Sequence, residues 1–214
     1  MPEDKGKAAG VGGTRAAQRG ASSRVLRIIG GTWRSRRFRF PAGLPLRPTP
    51  DRVRETLFNW LAPHVRGARC LDLFAGSGAL GLEALSRGAG EVIFVEQARA
   101  AAEGIRSVLN AWETAAGRVV VADALEYLAL DTAATASFDI VFLDPPFDSG
   151  LLPRALAALV ERRRLRPGAL VYVEFSARSG RPGLPPPFTL HKEGRSGEVG
   201  YDLLCHIGGE GAIE

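Results

Sequence analysis

The chain has 214 residues, 45% hydrophobic and 24% charged, a balance that fits one folded α/β domain with a modest extension and excludes a low-complexity polymer. No apolar run approaches the ~20 residues of a membrane span, and the N-terminal stretch lacks the apolar segment of a signal peptide, so a cytoplasmic protein is expected. Residues 1–40 carry ten Lys/Arg against two acids, a net of +8, which leaves −3 of the chain's +5 for the remainder. That asymmetry points to a polyanionic partner, most simply nucleic acid, or else to a solvated basic tail. Cys70 and Cys205 lie in apolar runs and read as core residues of a reducing compartment. The scattered His64, His191 and His206 argue against a zinc site, so no metal is expected.

Residues 1–23 are rich in Gly, Ala, Arg and Ser, bury too little to order themselves, and are expected to form a flexible basic tail. Next, RVLRIIGG and TWRSRRFRF read as two strands meeting at Gly30–Gly31, a small hairpin in which arginines and aromatics interleave. The Pro-rich PAGLPLRPTP closes this unit, residues 24–48, as a connector. Thr49 reads as a helix cap with Pro50 at the first helical position. The helix itself, DRVRETLFNWLA, sets Val53, Leu57, Trp60 and Leu61 on one face, with Arg54 near the edge of that stripe.

Beyond Gly67 the pattern alternates. Strand-like RCLDLF, EVIFVE, RVVVAD, FDIVFLD and ALVYVEF are interleaved with helical GALGLEALSRG, RAAAEGIRSVLNAW, ALEYLAL and LLPRALAALVERRRL. Two further strands near 188–193 and 199–207 follow a Pro-rich loop. The alternation predicts a mostly parallel sheet with helices on both faces, and the last two strands predict an antiparallel hairpin at one edge. The main domain therefore spans 49–207, with 208–214 as a C-terminal tail. In such sheets ligands lie over the carboxyl ends of the strands, which singles out the loops that follow them.

The first such loop, DLFAGSGALG, contains G-x-G-x-x-G at Gly76, Gly78 and Gly81, the dinucleotide fingerprint. Asp72 sits beside it, and a carboxylate there would repel a pyrophosphate. A cationic, phosphate-free nucleoside suits it better, and S-adenosylmethionine brings both an ammonium and a sulfonium. Alternatively, Asp72 caps the turn through backbone N–H groups. Glu96 ends the second strand, where an acid holds ribose hydroxyls. Asp123 ends the third, and either accepts from an adenine amine or caps the following helix. After the fourth comes Asp144-Pro145-Pro146-Phe147. The Asp144 carboxylate and Pro145 carbonyl form an acceptor pair that can hold an exocyclic NH2 and turn its lone pair toward a methyl donor. Pro146 stiffens the turn, and Phe147 offers a face on which a base can stack.

These residues resemble the class I S-adenosylmethionine-dependent methyltransferases. RIIGGTWRSRRF, LRPTPDRVRETLFNWL, CLDLFAGSGALGLEALSRGA and FLDPPF, four blocks in order across about residues 24–207, resemble the RsmD family, which methylates N2 of a guanine in 16S ribosomal RNA. The resemblance implies a Rossmann-like, seven-stranded sheet preceded by a small RNA-facing β-hairpin. It implies S-adenosylmethionine bound by Asp72, Phe74, Gly76, Gly78, Glu96, Gln97, Asp123 and Ala124. It gives Asp144, Pro145, Pro146 and Phe147 the target-amine role and implies 16S rRNA as substrate, free or within the assembled small subunit; a monomer is expected. VEQAR lacks the second acid that often follows the ribose-binding Glu in relatives. Arg27, Arg34, Arg36, Arg37, Arg39, Arg47, Arg52 and Arg54 are the candidate RNA contacts. Trp33 and Phe38 are candidates for base stacking or for packing on the main domain. Competing readings are an amino-methyltransferase of DNA or tRNA, a nicotinamide-dependent oxidoreductase and a non-catalytic RNA-binding protein.

Overall fold

The computed structural model describes residues 23–41, 49–130 and 137–208. The expected N-terminal tail (except Ser23), most of the connector with Arg47, and residues 209–214 therefore lie outside the described residues. Two strands, β1 (Ser23–Arg27) and β2 (Arg37–Pro41), pair antiparallel as a separate small sheet. Both are shorter than their sequence patterns imply, because residues 28–36 form a turn-rich loop that docks on the main domain. At its tip Gly31 has φ +80°, and a Cβ there would stand 1.9 Å from the Ser86 carbonyl oxygen, so the loop needs glycine to approach this closely.

The main domain adds α1 (Asp51–Trp60), β3 (Arg69–Asp72), α2 (Ala79–Ser86), β4 (Glu91–Val95), α3 (Arg99–Ala111), β5 (Gly117–Val120) and α4 (Ala124–Ala129). It continues through β6 (Phe138–Leu143), α5 (Leu151–Glu161), β7 (Leu165–Ser176), β8 (Phe188–Ser196) and β9 (Val199–His206). The strands form one seven-stranded sheet in the order β5-β4-β3-β6-β7-β9-β8. The first five are parallel, and β9 joins β7 and β8 antiparallel, giving the expected edge hairpin.

Strand alternation divides the core in two. Cys70, Phe94, Ile140, Phe142 and Tyr172 face α1, α2 and α3, whereas Leu71, Ile93, Val141, Leu143 and Val173 face α4 and α5. Every one of these side chains is buried, as expected for strands covered on both faces. Gly81 lets α2 settle on β4: a Cβ at that position would meet the Phe94 ring at 2.2 Å. Gly88, with φ +95°, ends the same helix as its sequence predicts.

The first helix departs from expectation in three respects. It is capped by Pro50, with no side-chain cap, and the Thr49 hydroxyl bonds instead to Glu174 of the site described below. It stops at Trp60, which is only partly buried, its ring 5.7 Å from Tyr201, while Phe58 takes the deeper position. Arg54, expected near the edge of the apolar stripe, is fully buried.

Candidate active site

The carboxyl ends of β3, β4, β6 and β7 bring four acids together, Asp72, Glu96, Asp144 and Glu174. Asp72 closes β3 and is 3% exposed. It accepts the Gly81 N–H at 3.0 Å, an otherwise orphaned donor of the first turn of α2, so the capping alternative describes a contact that Asp72 does make. Burial, with a smaller push from Glu96, raises its carboxyl to about 7 despite that bond. Gly76 (φ +52°) and Gly78 (φ +77°) turn the loop past it, and Phe74 is half-buried alongside.

Glu96 follows β4 and ties two loops together, accepting the Gly76 N–H and the Ala98 N–H at 2.7 Å each. Gln97, next to it, is exposed. Asp123 uses Oδ1 to cap α4, accepting from the Leu125 N–H at 2.8 Å and the Glu126 N–H at 3.1 Å, and Ala124 is buried behind it. Of the two alternatives for Asp123, capping is thus the contact made within the chain.

Asp72 pairs with Phe142 in the β3–β6 ladder, so the glycine loop and the Asp144–Phe147 turn leave from neighbouring strands. Asp144 is half-buried, Pro145 buried, and Pro146 and Phe147 exposed. Asp144 and Glu174 each follow the last pair of the β6–β7 ladder, Leu143 with Val173, and lie side by side. Thr49 bridges them. Its hydroxyl donates to Glu174 Oε1 at 2.7 Å and lies 3.5 Å from Asp144 Oδ2. The Tyr172 hydroxyl donates to the same Glu174 oxygen at 2.8 Å. Burial first, then the Glu174 and Asp72 charges, hold Asp144 well above the usual carboxylate range. Burial also raises Glu174, against the opposing pull of its two hydroxyl donors.

The sequence marks Thr49 only as a helix cap, and does not mark Tyr172 or Glu174 as site residues. The available signal was an acid two residues after a tyrosine in an otherwise apolar strand, VYVEF. A cavity of about 320 Å³ at the opposite end of the sheet, by His64, Arg66 and Arg166, has no comparable group. Its Asp139 is neutralised there by Arg166 at 2.8 Å and by the Arg69 N–H at 2.8 Å.

The arginines divide. Arg27, Arg34, Arg36, Arg37, Arg39 and Arg52 are exposed. Arg27 pairs with Asp51 at 3.1 Å, and Arg36 lies over the Trp112 ring at 5.4 Å. Arg54 is a correction. Its guanidinium is sealed between Asp51 (2.6 Å), Glu83 (3.5 Å) and the Arg27 carbonyl (3.0 Å), out of reach of any nucleic acid. Trp33 and Phe38 both pack on Trp112, with centroids 4.8 and 6.0 Å away, and so hold the hairpin to α3.

A seven-stranded sheet of this order, with a glycine loop and acids at the carboxyl ends, is the Rossmann-like fold of class I methyltransferases. Residues 26–205 match the family described as conserved hypothetical protein 95. The chain is 45% identical over 183 residues to ribosomal RNA small subunit methyltransferase D of Escherichia coli K12, covering 86% of this chain and 91% of the relative. The Escherichia coli yhhF structure superposes with a TM-score of 0.79 at 45% identity, covering 86% of this chain and 99% of that one. A Thermus thermophilus 16S rRNA N2 G1207 methyltransferase (RsmC), solved with AdoMet and guanosine, superposes with a TM-score of 0.59 at 25% identity, covering 87% of this chain and 50% of that one. The chain belongs to the family of small-subunit ribosomal RNA methyltransferases D. Membership sets aside the oxidoreductase and the non-catalytic readings.

Proposed function

We propose that this chain methylates the exocyclic N2 amine of a guanine in 16S rRNA, with S-adenosylmethionine held by Asp72, Phe74, Gly76, Gly78, Glu96, Gln97, Asp123 and Ala124. The observation that carries this reading is the buried Asp72 carboxylate beside the glycine loop, held by a single N–H and one strand away from Asp144-Pro145-Pro146-Phe147. A buried carboxylate held so sparingly costs several kcal/mol by typical magnitudes, and a cationic ligand without phosphates relieves that cost. S-adenosylmethionine, when bound, supplies an electrophilic methyl group. Asp144 and the Pro145 carbonyl accept the two N–H groups of the target amine and aim its lone pair. Pro146 keeps the turn rigid, and the exposed Phe147 ring receives the base. Acceleration comes from positioning and fixed dipoles more than from a strong base.

Residues 24–48 act as the RNA-facing unit and 49–207 as the methyltransferase domain. Arg27, Arg34, Arg36, Arg37, Arg39 and Arg52, with Arg47 of the connector, contact the RNA backbone, which orients the substrate without choosing the base. Arg54 has no such role. The protein works in the cytoplasm as a monomer, on 16S rRNA, free or within the assembled small subunit. Transfer of tritiated methyl groups to small subunits, naked 16S rRNA, tRNA and DNA tests this. Label is expected in 16S rRNA as N2-methylguanine by mass spectrometry, and the naked-rRNA and subunit arms show which form is the substrate. Label in DNA or tRNA alone would overturn it.

A further inference from the structure

Glu174 is 3% exposed at the end of the buried stretch 169–173 of β7, and its hydrogen-bond partners are two hydroxyls, not a cation. Both hydroxyls donate to one oxygen, Oε1, at 2.7 and 2.8 Å. Two short donors stabilise negative charge on Glu174, so of these two adjacent carboxyl groups the resting proton belongs to Asp144. Thr49 lies between them. A hydroxyl has one proton to give and lone pairs to accept with, so Thr49 can take a proton from Asp144 Oδ2 while passing its own to Glu174. The Asp144–Thr49 separation of 3.5 Å is long, and such contacts commonly tighten once substrate is bound.

We propose that Glu174, reached through Thr49, is the final acceptor of the proton that the target amine gives up at Asp144. This rests on the amine-binding role given to Asp144 above. When the amine has gained its N–C bond, one N–H bond breaks and an Asp144 Oδ1–H bond forms. The Asp144 Oδ2–H bond breaks as a Thr49 Oγ1–H bond forms, and the original Thr49 O–H bond breaks as Glu174 Oε1–H forms. Each electron pair stays on the atom that released the proton. Asp144 and Thr49 end as they began, Glu174 ends neutral, and the reverse path returns its proton to solvent after product leaves. Asp72 from β3 and Tyr172 from β7 are the titratable groups bearing on this pair, Tyr201 of β9 lies opposite Glu174 in the ladder and bears on Tyr172, and the α1 side contributes the Thr49 hydroxyl. Thr49 and Glu174 are thus positioning residues that act through Asp144.

The test compares wild type with D144N, E174Q, T49V and T49S in single-turnover methylation, with binding of S-adenosylhomocysteine followed by calorimetry. Carboxyl-13C NMR titration of the ligand-free proteins gives a readout independent of turnover. E174Q and T49V should each slow the chemical step by about 10²-fold, the low end of general acid–base contributions, with unchanged cofactor affinity. T49S should recover most of the rate, because it keeps the oxygen. In E174Q the Asp144 carboxyl should titrate at lower pH, since the neighbouring negative charge that held its proton is gone. Wild-type rates in E174Q and T49V, or an unmoved Asp144 titration in E174Q, would overturn the relay. If D144N is inactive while those two variants turn over normally, the relay alone fails. If D144N itself methylates at the wild-type rate, the amine-binding reading beneath it fails too.

Discussion

Two buried acids on the same side of the sheet have opposite surroundings. Glu83 of α2, where the hairpin docks, accepts the Ile29 and Gly30 N–H groups at 2.8 Å each and pairs with Arg87 at 2.8 Å and Arg54 at 3.5 Å. Glu174 of β7, in the candidate active site, has two hydroxyls and a neighbouring acid. The first arrangement satisfies its charge inside the protein and locks a loop in place. The second leaves charge to be met from outside, by substrate, cofactor or a moving proton. A buried acid therefore marks a working site here only where the fold withholds a cation.

The largest effect that would break this comparison lies at the hairpin. Glu83→Ala should leave the fully buried Arg54 with Asp51 as its remaining carboxylate and the Ile29 and Gly30 N–H groups without their acceptor, and cost about 3–5 kcal/mol in urea denaturation. Faster amide exchange at Ile29 and Gly30 should accompany it. A loss below about 1 kcal/mol would mean that Glu83 is not the anchor.

The candidate active site should respond to pH where the hairpin does not. With its carboxyl raised to about 7, Asp72 is largely protonated in the ligand-free fold below that pH. The unfolded chain has already lost this proton above about 4, so the ligand-free protein loses stability from Asp72 as pH rises from about 4 to 7. A cationic cofactor binds the ionised form, so affinity for S-adenosylmethionine should be about tenfold weaker at pH 6 than at pH 8, with proton release on binding. Calorimetry in buffers of different ionisation enthalpy measures both, and a flat affinity across that range would sever Asp72 from the cofactor.

The smallest effects belong to the exposed arginines. Arg34→Ala or Arg37→Ala should each reduce the log–log salt slope of RNA binding by roughly 0.7–0.9 if it neutralises one phosphate. Slopes identical to wild type in both variants would remove the hairpin from the RNA interface.

Much of this was legible in the residues. The alternation after Gly67 predicts each strand and helix from β3 to β9, because apolar periodicity directly records which face is buried. Asp72, Glu96, Asp123 and Asp144 stand at strand ends, so their arrival at one edge of a parallel sheet follows from topology. Thr49 was misread because a Thr before Pro-Asp satisfies the local logic of a cap. Arg54 was misread because a charged residue near an apolar stripe ordinarily turns to water.

The sequence alone determined the order of the elements, the glycine turns and the acids that end the strands, since each depends on neighbours within a few residues. Only the tertiary structure decided which acids are neutralised. Glu83 meets its hairpin amides across more than 50 positions and Glu174 meets Thr49 across 125. A side chain's charge state follows the dielectric and the partners around it, and those are assembled by the fold.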